Sequence, residues 1–193
     1  MRFAHENDFD LIVAEAGNAW DVDTSLIKAL IGAESEFNPN AYRAEPQIND
    51  ASYGLMQLLY GTARAIGFTG ATTQLYDPVT NVRLGTRFIA DKIKTASARG
   101  YGVDSAISAY NAGFSTVRAG DGKRVTNVPG AAFINQTYVN RVLELASYFR
   151  HGAPPQLETV TVYARPLADV ISGWSIFAFA FPLLLLLIPK RHR

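Results

Sequence analysis

Residues 170–189 limit what this chain can fold into more than any other stretch, because all 20 of these positions lack a charged side chain. The stretch is bounded by Asp169 and Lys190 and contains the run LLLLLI, which is apolar on every face of a helix. A helix of 20 residues spans roughly 30 Å, the thickness of the hydrocarbon core of a bilayer. The sequence therefore predicts a single membrane-spanning helix here. The alternative is a buried helix in a globular core.

The rest of the 193-residue chain divides at residues 151–155 (HGAPP), where proline and glycine interrupt the preceding pattern. Residues 1–150 are long enough to form one compact domain with its own core. Residues 151–169 are predicted to be a linker that includes an extended segment rich in β-branched side chains. After the spanning helix, residues 190–193 (KRHR) form a basic tail.

The charge of the chain argues against binding to nucleic acid. Three of its 18 basic residues lie in the last four positions, so residues 1–169 carry 15 basic against 17 acidic side chains. A nucleic-acid-binding domain should instead present a basic face. The chain has no cysteine, and its three histidines are scattered at positions 5, 151 and 192, so we expect no metal site and no cofactor.

Apolar residues in the first 150 positions recur with the period of a helix, which predicts a body that is nearly all α. Residues 40–52 are polar and predicted to form a loop, as are the aperiodic residues 114–135. The helices are predicted at 8–20, from 26 to the Asn38-Pro39 pair, and at 55–66, 81–98, 103–112 and 137–149.

Four short segments resemble signatures of the catalytic domain of soluble lytic transglycosylases, a branch of the lysozyme-like superfamily. They are residues 33–39 (AESEFNP), 52–57 (SYGLMQ), 77–85 (DPVTNVRLG) and 109–113 (AYNAG), with a Tyr-Val pair at 138–139 further on. Their joint order and spacing make the resemblance specific over roughly residues 8–150. It implies a mainly α, lysozyme-like domain with a cleft.

Glu34 is the predicted catalytic residue. Cleavage of a glycosidic bond requires a carboxylic acid that stays protonated near neutral pH, and apolar neighbours on the helix would favour that form. The resemblance implies that this one glutamate first protonates the leaving sugar. It then acts as a base on the C6 hydroxyl of N-acetylmuramic acid, so that peptidoglycan strands are cut with 1,6-anhydro ends.

The resemblance also implies roles for four residues around Glu34. Gln57 and Asn111 would hydrogen-bond the acetamido groups of the sugars. Ser52 would polarise a substituent next to the reacting centre. Met56 would form an apolar wall of the cleft, with a place in the core as the alternative.

Two tyrosines complete the predicted site. The resemblance implies that Tyr110 bonds near the carboxyl of Glu34 and holds it in place. Tyr138 is assigned to the cleft, with packing between helices as the alternative. The chain departs from the family pattern in a polar insertion at 42–50 and in Tyr60-Gly61, which replaces a proline, and both departures concern the outer subsites.

Other functions remain open from the sequence. A hydrolytic muramidase would pair Glu34 with a second carboxylate, for which Asp50 is a candidate, whereas Glu36 should face away from Glu34. An inactive wall-binding module, or a structural membrane protein of a virion, would keep the fold without the chemistry.

The charge around the apolar stretch predicts the topology. No apolar stretch of signal-peptide length follows the charged residues 1–10, so no secretion signal is expected. The basic tail places the C-terminus in the cytoplasm or an interior, with the catalytic domain facing the peptidoglycan. The expected partners are peptidoglycan strands, the lipid membrane through residues 170–189, and proteins of a phage virion or envelope-spanning complex.

Overall fold

Six α-helices account for most of residues 3–114 and 133–152, the part of the chain that the computed structural model describes. These residues all belong to one unit, Met1–Gln156. In chain order the helices are α1 Asp10–Trp20, α2 Thr24–Glu34, α3 Tyr60–Ala65, α4 Pro78–Ala98, α5 Val103–Ala112 and α6 Gln136–His151.

Helix α2 lies at the centre of the core. Ile27, Leu30 and Ile31 are fully buried, and the helix packs against α1 on one side and α6 on another. Helix α4 in turn packs against α1 and α5. Because α2 is held from several sides, its C-terminal residue, Glu34, has a fixed position.

Side-chain caps explain where two of the helices begin. The carboxylate of Asp23 accepts a hydrogen bond from the backbone N–H of Ser25 at 2.8 Å, which caps α2. Asp77 does the same for Thr80 at 2.8 Å and precedes a proline at the first position of α4. That proline starts α4 three residues before the predicted position 81.

The predicted loop at 40–52 is instead a hairpin. Strands β1 Tyr42–Glu45 and β2 Asp50–Tyr53 pair antiparallel across a 3-10 turn, Pro46–Ile48, and β2 also pairs with β3 Leu58–Leu59. The strands have only two to four residues, and β1 is largely exposed. They therefore lack the apolar alternation by which strands are predicted.

The helix predicted at 55–66 begins only at Tyr60, because a tight turn precedes it. Gly54 has φ +70°, and a Cβ atom there would lie 2.5 Å from the carbonyl oxygen of Leu75. Gln57 also adopts a left-handed conformation, with φ +45°. A helix cannot run through these residues.

The turn at 54–57 is fastened by the buried side chain of Asn81. Its Oδ1 accepts from the N–H of Met56, and its Nδ2 donates to the carbonyls of Tyr53 and Leu75, all at 2.8 Å. These three bonds satisfy buried backbone groups and hold the turn against the start of α4.

Helix α2 ends at Glu34, earlier than the predicted end before Pro39. Glu36 and Phe37 both have positive φ angles, 53° and 65°, and the hydroxyl of Ser35 donates to the carbonyl of Leu55 at 2.7 Å. The chain therefore turns away directly after Glu34, which leaves that carboxyl at the helix end.

Several predictions fall on residues that the structure does not describe. These are most of the irregular loop at 114–135, the linker and extended segment beyond residue 152, the membrane-spanning helix at 170–189 and the basic tail at 190–193. Within residues 3–114 and 133–152, no helix combines the length and the apolar character that a membrane crossing requires.

Candidate active site

Glu34 lies on the wall of a cavity of about 380 Å³ between the hairpin and helix α5. Four of the residues predicted around it, Ser52, Gln57, Tyr110 and Asn111, line the same cavity. The other described residues on its wall are Arg43, Glu45, Ile48, Leu58, Leu59, Thr62, Phe88, Ala109, Ala112 and Gly113.

The surroundings of Glu34 favour its protonated form. Burial raises the pKa of the Glu34 carboxyl above its ordinary value. A hydrogen bond from Tyr138 and the positive charges of Arg43 and Arg141 oppose that rise without cancelling it. A carboxyl with a raised pKa on a cleft can donate a proton to a bound substrate.

The tyrosine that holds Glu34 is Tyr138, and not Tyr110 as predicted. The Tyr138 hydroxyl donates to Oε1 of Glu34 at 2.6 Å, whereas the Tyr110 hydroxyl donates to the carbonyl of Met56 at 2.9 Å. Burial raises the pKa of both phenols well above the ordinary value, so both stay neutral donors. Tyr110 thus fixes the turn beneath the cleft, and helix α6 supplies the contact to the acid.

Met56 takes the alternative place in the core and does not form an apolar wall of the cleft. Its side chain is fully buried and packs against α4, where a Cβ atom on Gly85 would lie 2.4 Å from the sulfur. The left-handed turn at 54–57 directs Met56 into the core. Its backbone contributes to the site, because the N–H of Met56 donates to Asn81 and its carbonyl accepts from Tyr110.

The two predicted amide residues present complementary atoms. Nε2 of Gln57 donates to the carbonyls of Ala41 at 3.1 Å and Gly54 at 3.0 Å, which leaves its Oε1 as an acceptor among the described residues. Oδ1 of Asn111 accepts from Nδ2 of Asn135 at 3.0 Å, and within the described part of the chain the Asn111 amide group remains a donor. An acetamido group offers one donor and one acceptor to match them.

Asn135 is a further residue of the site that was not predicted from the sequence. Its Nδ2 also donates to the carbonyl of Ser108 at 3.1 Å, and its Oδ1 accepts from the Ser108 hydroxyl at 2.7 Å. It therefore fixes the orientation of Asn111 from a position just before α6. No pattern marks this residue, which lies at the end of an aperiodic segment.

The two carboxylates considered as partners for Glu34, Asp50 and Glu36, are occupied elsewhere. Asp50 is not among the described lining residues, and its two oxygens accept from the backbone N–H groups of Ala51 at 2.7 Å and Gly61 at 2.9 Å. Glu36 is exposed and pairs with Arg141 at 3.1 Å, away from the cavity.

Glu45 is the second carboxylate on the cavity wall and was not predicted from the sequence. Its Oε1 accepts from Nε of Arg43 at 2.6 Å and its Oε2 from Nε2 of Gln47 at 2.7 Å. Both oxygens are thus engaged. In the described part of the chain, no three His, Cys, Asp or Glu side chains cluster so as to hold a metal ion.

Solved structures share this fold. The 70-kDa soluble lytic transglycosylase in complex with bulgecin A aligns over 81% of this chain and 26% of its own, with 26% identity and a TM-score of 0.59. The 70-kDa soluble lytic transglycosylase of Escherichia coli aligns over 77% of this chain and 25% of its own, with 25% identity and the same TM-score. The prediction of a mainly α, lysozyme-like domain is confirmed.

Sequence comparison agrees. The chain is 34% identical over 120 residues to the membrane-bound lytic murein transglycosylase C of Shigella sonnei, an alignment that covers 55% of this chain and 31% of the relative. The chain thus spans less than a third of the length of each of these relatives. The model of the transglycosylase SLT domain matches residues 12–127, and the chain therefore belongs to the transglycosylase SLT domain family.

Proposed function

We propose that this protein cleaves the β-1,4 bond between N-acetylmuramic acid and N-acetylglucosamine in peptidoglycan, with Glu34 as its single acid and base. The observation that carries the proposal is the Glu34 carboxyl at the end of α2, which opens onto a cleft, is held by Tyr138 and has a raised pKa. Membership of the family and the resemblance of the relatives support it.

The first step is protonation of the glycosidic oxygen by Glu34, which releases the leaving sugar. The resulting carboxylate is stabilised by the Tyr138 hydroxyl at 2.6 Å and by the charge of Arg141. It can then remove the proton from the C6 hydroxyl of the muramic acid, which attacks its own C1. Such an internal nucleophile competes well with water because its effective molarity is very large.

The occupied state of the other carboxylates favours this lyase outcome over hydrolysis. A hydrolase of the usual kind needs a second carboxylate free to act as a base or a nucleophile. Asp50 holds two backbone N–H groups, and Glu45 holds Arg43 and Gln47. Glu34 is thus the carboxyl in the described cleft that is available for both proton transfers.

Product analysis tests the reaction type. Purified peptidoglycan digested with the protein is expected to give fragments that end in 1,6-anhydro-N-acetylmuramic acid. Mass spectrometry distinguishes these ends from hydrolytic ones by the mass of one water, and borohydride reduction labels the hydrolytic ends alone. Mostly reducible ends would assign the protein as a muramidase, with Glu45 and Asp50 as the next residues to substitute.

Replacing Tyr138 with phenylalanine tests how Glu34 is held. The hydroxyl stabilises the ionised carboxyl, so its loss should raise the pKa of Glu34 further and move the alkaline limb of the kcat/KM profile to higher pH. Loss of the bond should also lower kcat at the optimum by about tenfold.

Tyr110→Phe is the matched control for that experiment, because the Tyr110 hydroxyl bonds to a backbone carbonyl rather than to Glu34. Its alkaline limb should stay at the wild-type pH, whatever happens to kcat. An alkaline limb that moves with Tyr110→Phe and not with Tyr138→Phe would show that Tyr110, and not Tyr138, holds Glu34.

The setting we propose is a membrane-anchored domain, residues 1–150, that opens the wall locally when a phage infects a cell or an envelope-spanning complex assembles. Residues 170–189 supply the span and 190–193 the positive charge that keeps the C-terminus inside. The cleft would then face the peptidoglycan.

A further inference from the structure

One face of the hairpin forms a wall of the cleft. Arg43 lies directly opposite Ser52 in the register of β1 and β2, and Ser52 lies opposite Leu59 in that of β2 and β3. Residues opposite each other in antiparallel strands place their side chains on the same face. All three line the cavity together with Glu34, so Arg43 is one strand away from Ser52 beside the acid.

The guanidinium of Arg43 is oriented by its own hairpin. Its Nε donates to Glu45 at 2.6 Å, and the other oxygen of Glu45 is held by Gln47 at 2.7 Å. Glu45 is 15% exposed, whereas Arg43 is 63% exposed. Among the described residues, neither Nη group of Arg43 has a hydrogen-bond partner, so this cavity-lining side chain keeps two donor groups available to a ligand.

An apolar side chain accompanies this cation. Ile48, in the 3-10 turn between β1 and β2, lines the same cavity and is 57% exposed. An exposed isoleucine beside a guanidinium fits a ligand group that carries a methyl or methylene next to an anion. Arg43, Glu45, Gln47 and Ile48 all lie in the polar segment 42–50, which the sequence predicts to be an insertion relative to the family pattern.

We propose that Arg43 binds a carboxylate carried by the muramic acid of the substrate. The inference rests on the proposed function, because muramic acid is what that reaction places in the cleft. Its O3 bears a lactyl group whose carboxyl is free in denuded glycan and is joined to a stem peptide, with carboxylates of its own, in intact wall. A guanidinium fork matches a carboxylate, and such charge-assisted pairs are stronger than neutral hydrogen bonds.

The position of Arg43 gives the contact a consequence for the acid. The charge of Arg43 lowers the pKa of Glu34 in the free protein. A bound carboxylate neutralises that charge, so the pKa of Glu34 rises in the complex and more of the acid is protonated when substrate is present. Binding of a muramic acid carboxylate would therefore favour the form of Glu34 that the first step uses.

Binding measurements test the contact without turnover. The Glu34→Gln variant of the full chain is titrated calorimetrically with a tetrasaccharide of alternating N-acetylglucosamine and N-acetylmuramic acid in three forms. These are the free acid, the stem-peptide form and the neutral lactyl methylamide. Adding Arg43→Met should raise the Kd for the free acid, the peptide form or both by about 10- to 100-fold, and for the methylamide by less than about twofold.

The arms of this experiment separate the sources of the carboxylate. Loss restricted to the free acid assigns Arg43 to the lactyl carboxylate, and loss restricted to the peptide form assigns it to the stem peptide. Equal loss on all three ligands, or no loss on any, overturns the proposal. Arg43→Lys should recover part of the affinity, because it restores the charge without the fork.

Arg83→Met is the control for the removal of one positive charge, because Arg83 is exposed on α4 and does not line the cavity. It should leave all three Kd values unchanged. The proposed reaction is tested independently, by the activity of the wild-type protein on peptidoglycan. A protein that cuts no wall, but binds the acid ligands through Arg43, would refute the reaction and retain this contact.

Discussion

Glu34→Gln is expected to lower the rate of peptidoglycan cleavage by about 1,000-fold, because the amide keeps the shape of the side chain but cannot transfer a proton. The Tyr138 hydroxyl can still donate to the amide oxygen, so the geometry at the end of α2 should be retained. Release of soluble fragments from purified wall, measured at several enzyme concentrations, gives the rate.

Glu36→Gln is the matched control for this substitution. Glu36 lies two residues further along, is exposed and pairs with Arg141 outside the cavity. We expect its activity to stay within about threefold of the wild type, since exposed ion pairs contribute little. A folded Glu34→Gln protein that clears wall at a comparable rate would show that another group is the acid.

The Glu34→Gln substitution should also change how the free energy of unfolding depends on pH. The folded-state pKa of Glu34 is raised, so the stability contributed by its protonated form is fully present below the unfolded-state pKa and is lost as pH rises through the folded-state value. The amide that replaces the carboxyl cannot ionise, so the variant should not show that loss. The Tm of Glu34→Gln relative to wild type should therefore increase as pH rises from about 4 to 8.

Removal of the C-terminal segment is the second change with a large expected effect. Residues 1–155 alone should stay in the supernatant and cleave wall within about threefold of the full chain in detergent, whereas the full chain should pellet with membranes. Helix α6 ends at His151, and its buried residues pack on α2, so this fragment retains the described fold. A 20-residue stretch dominated by Leu, Ile and Phe favours insertion by several kcal/mol on translocon scales, about 0.5 kcal/mol for each such residue.

A charged variant of the full chain is the control for that experiment. Phe179→Arg together with Phe181→Arg places two charges near the centre of the stretch, where each costs about 3 kcal/mol in a spanning helix. This protein should leave the membrane fraction without loss of cleavage activity. Aggregation of the 1–155 fragment, or loss of its helical circular dichroism, would instead make residues 157–188 part of the folded core.

The sequence predicts the helices well where apolar periodicity and helix-ending residues agree. Helix α5 is found at the predicted residues, 103–112, because glycines bracket a clear apolar pattern. The hairpin is not predicted from the sequence because one face of its short strands lines a cleft rather than a core. Apolar residues therefore do not alternate along these strands. The turn at 54–57 resembles a helix in sequence because GLMQ is largely apolar, and the bonds from Asn81 that shape it come from 25 residues away.

Some residues of the candidate site are likewise predicted from the sequence, and others are not. Residues whose motifs lie in continuous segments, such as Glu34, Gln57 and Asn111, are found on one cavity as expected. The choice between Tyr110 and Tyr138 could not be made from the sequence, because it depends on how α6 packs against α2. Arg43 and Glu45 lie in an insertion with no pattern, and their place on the cleft follows from strand pairing alone.

The bond between Tyr138 and Glu34 joins residues 104 positions apart. A ribosome makes the glutamate long before it makes its partner, and a contact of this sequence separation forms only after the intervening chain has been produced. The acid therefore stays without its hydroxyl until α6 has left the exit tunnel. For a protein with the proposed activity on the wall that protects a cell, the order of synthesis itself delays the appearance of a complete site to the end of the domain.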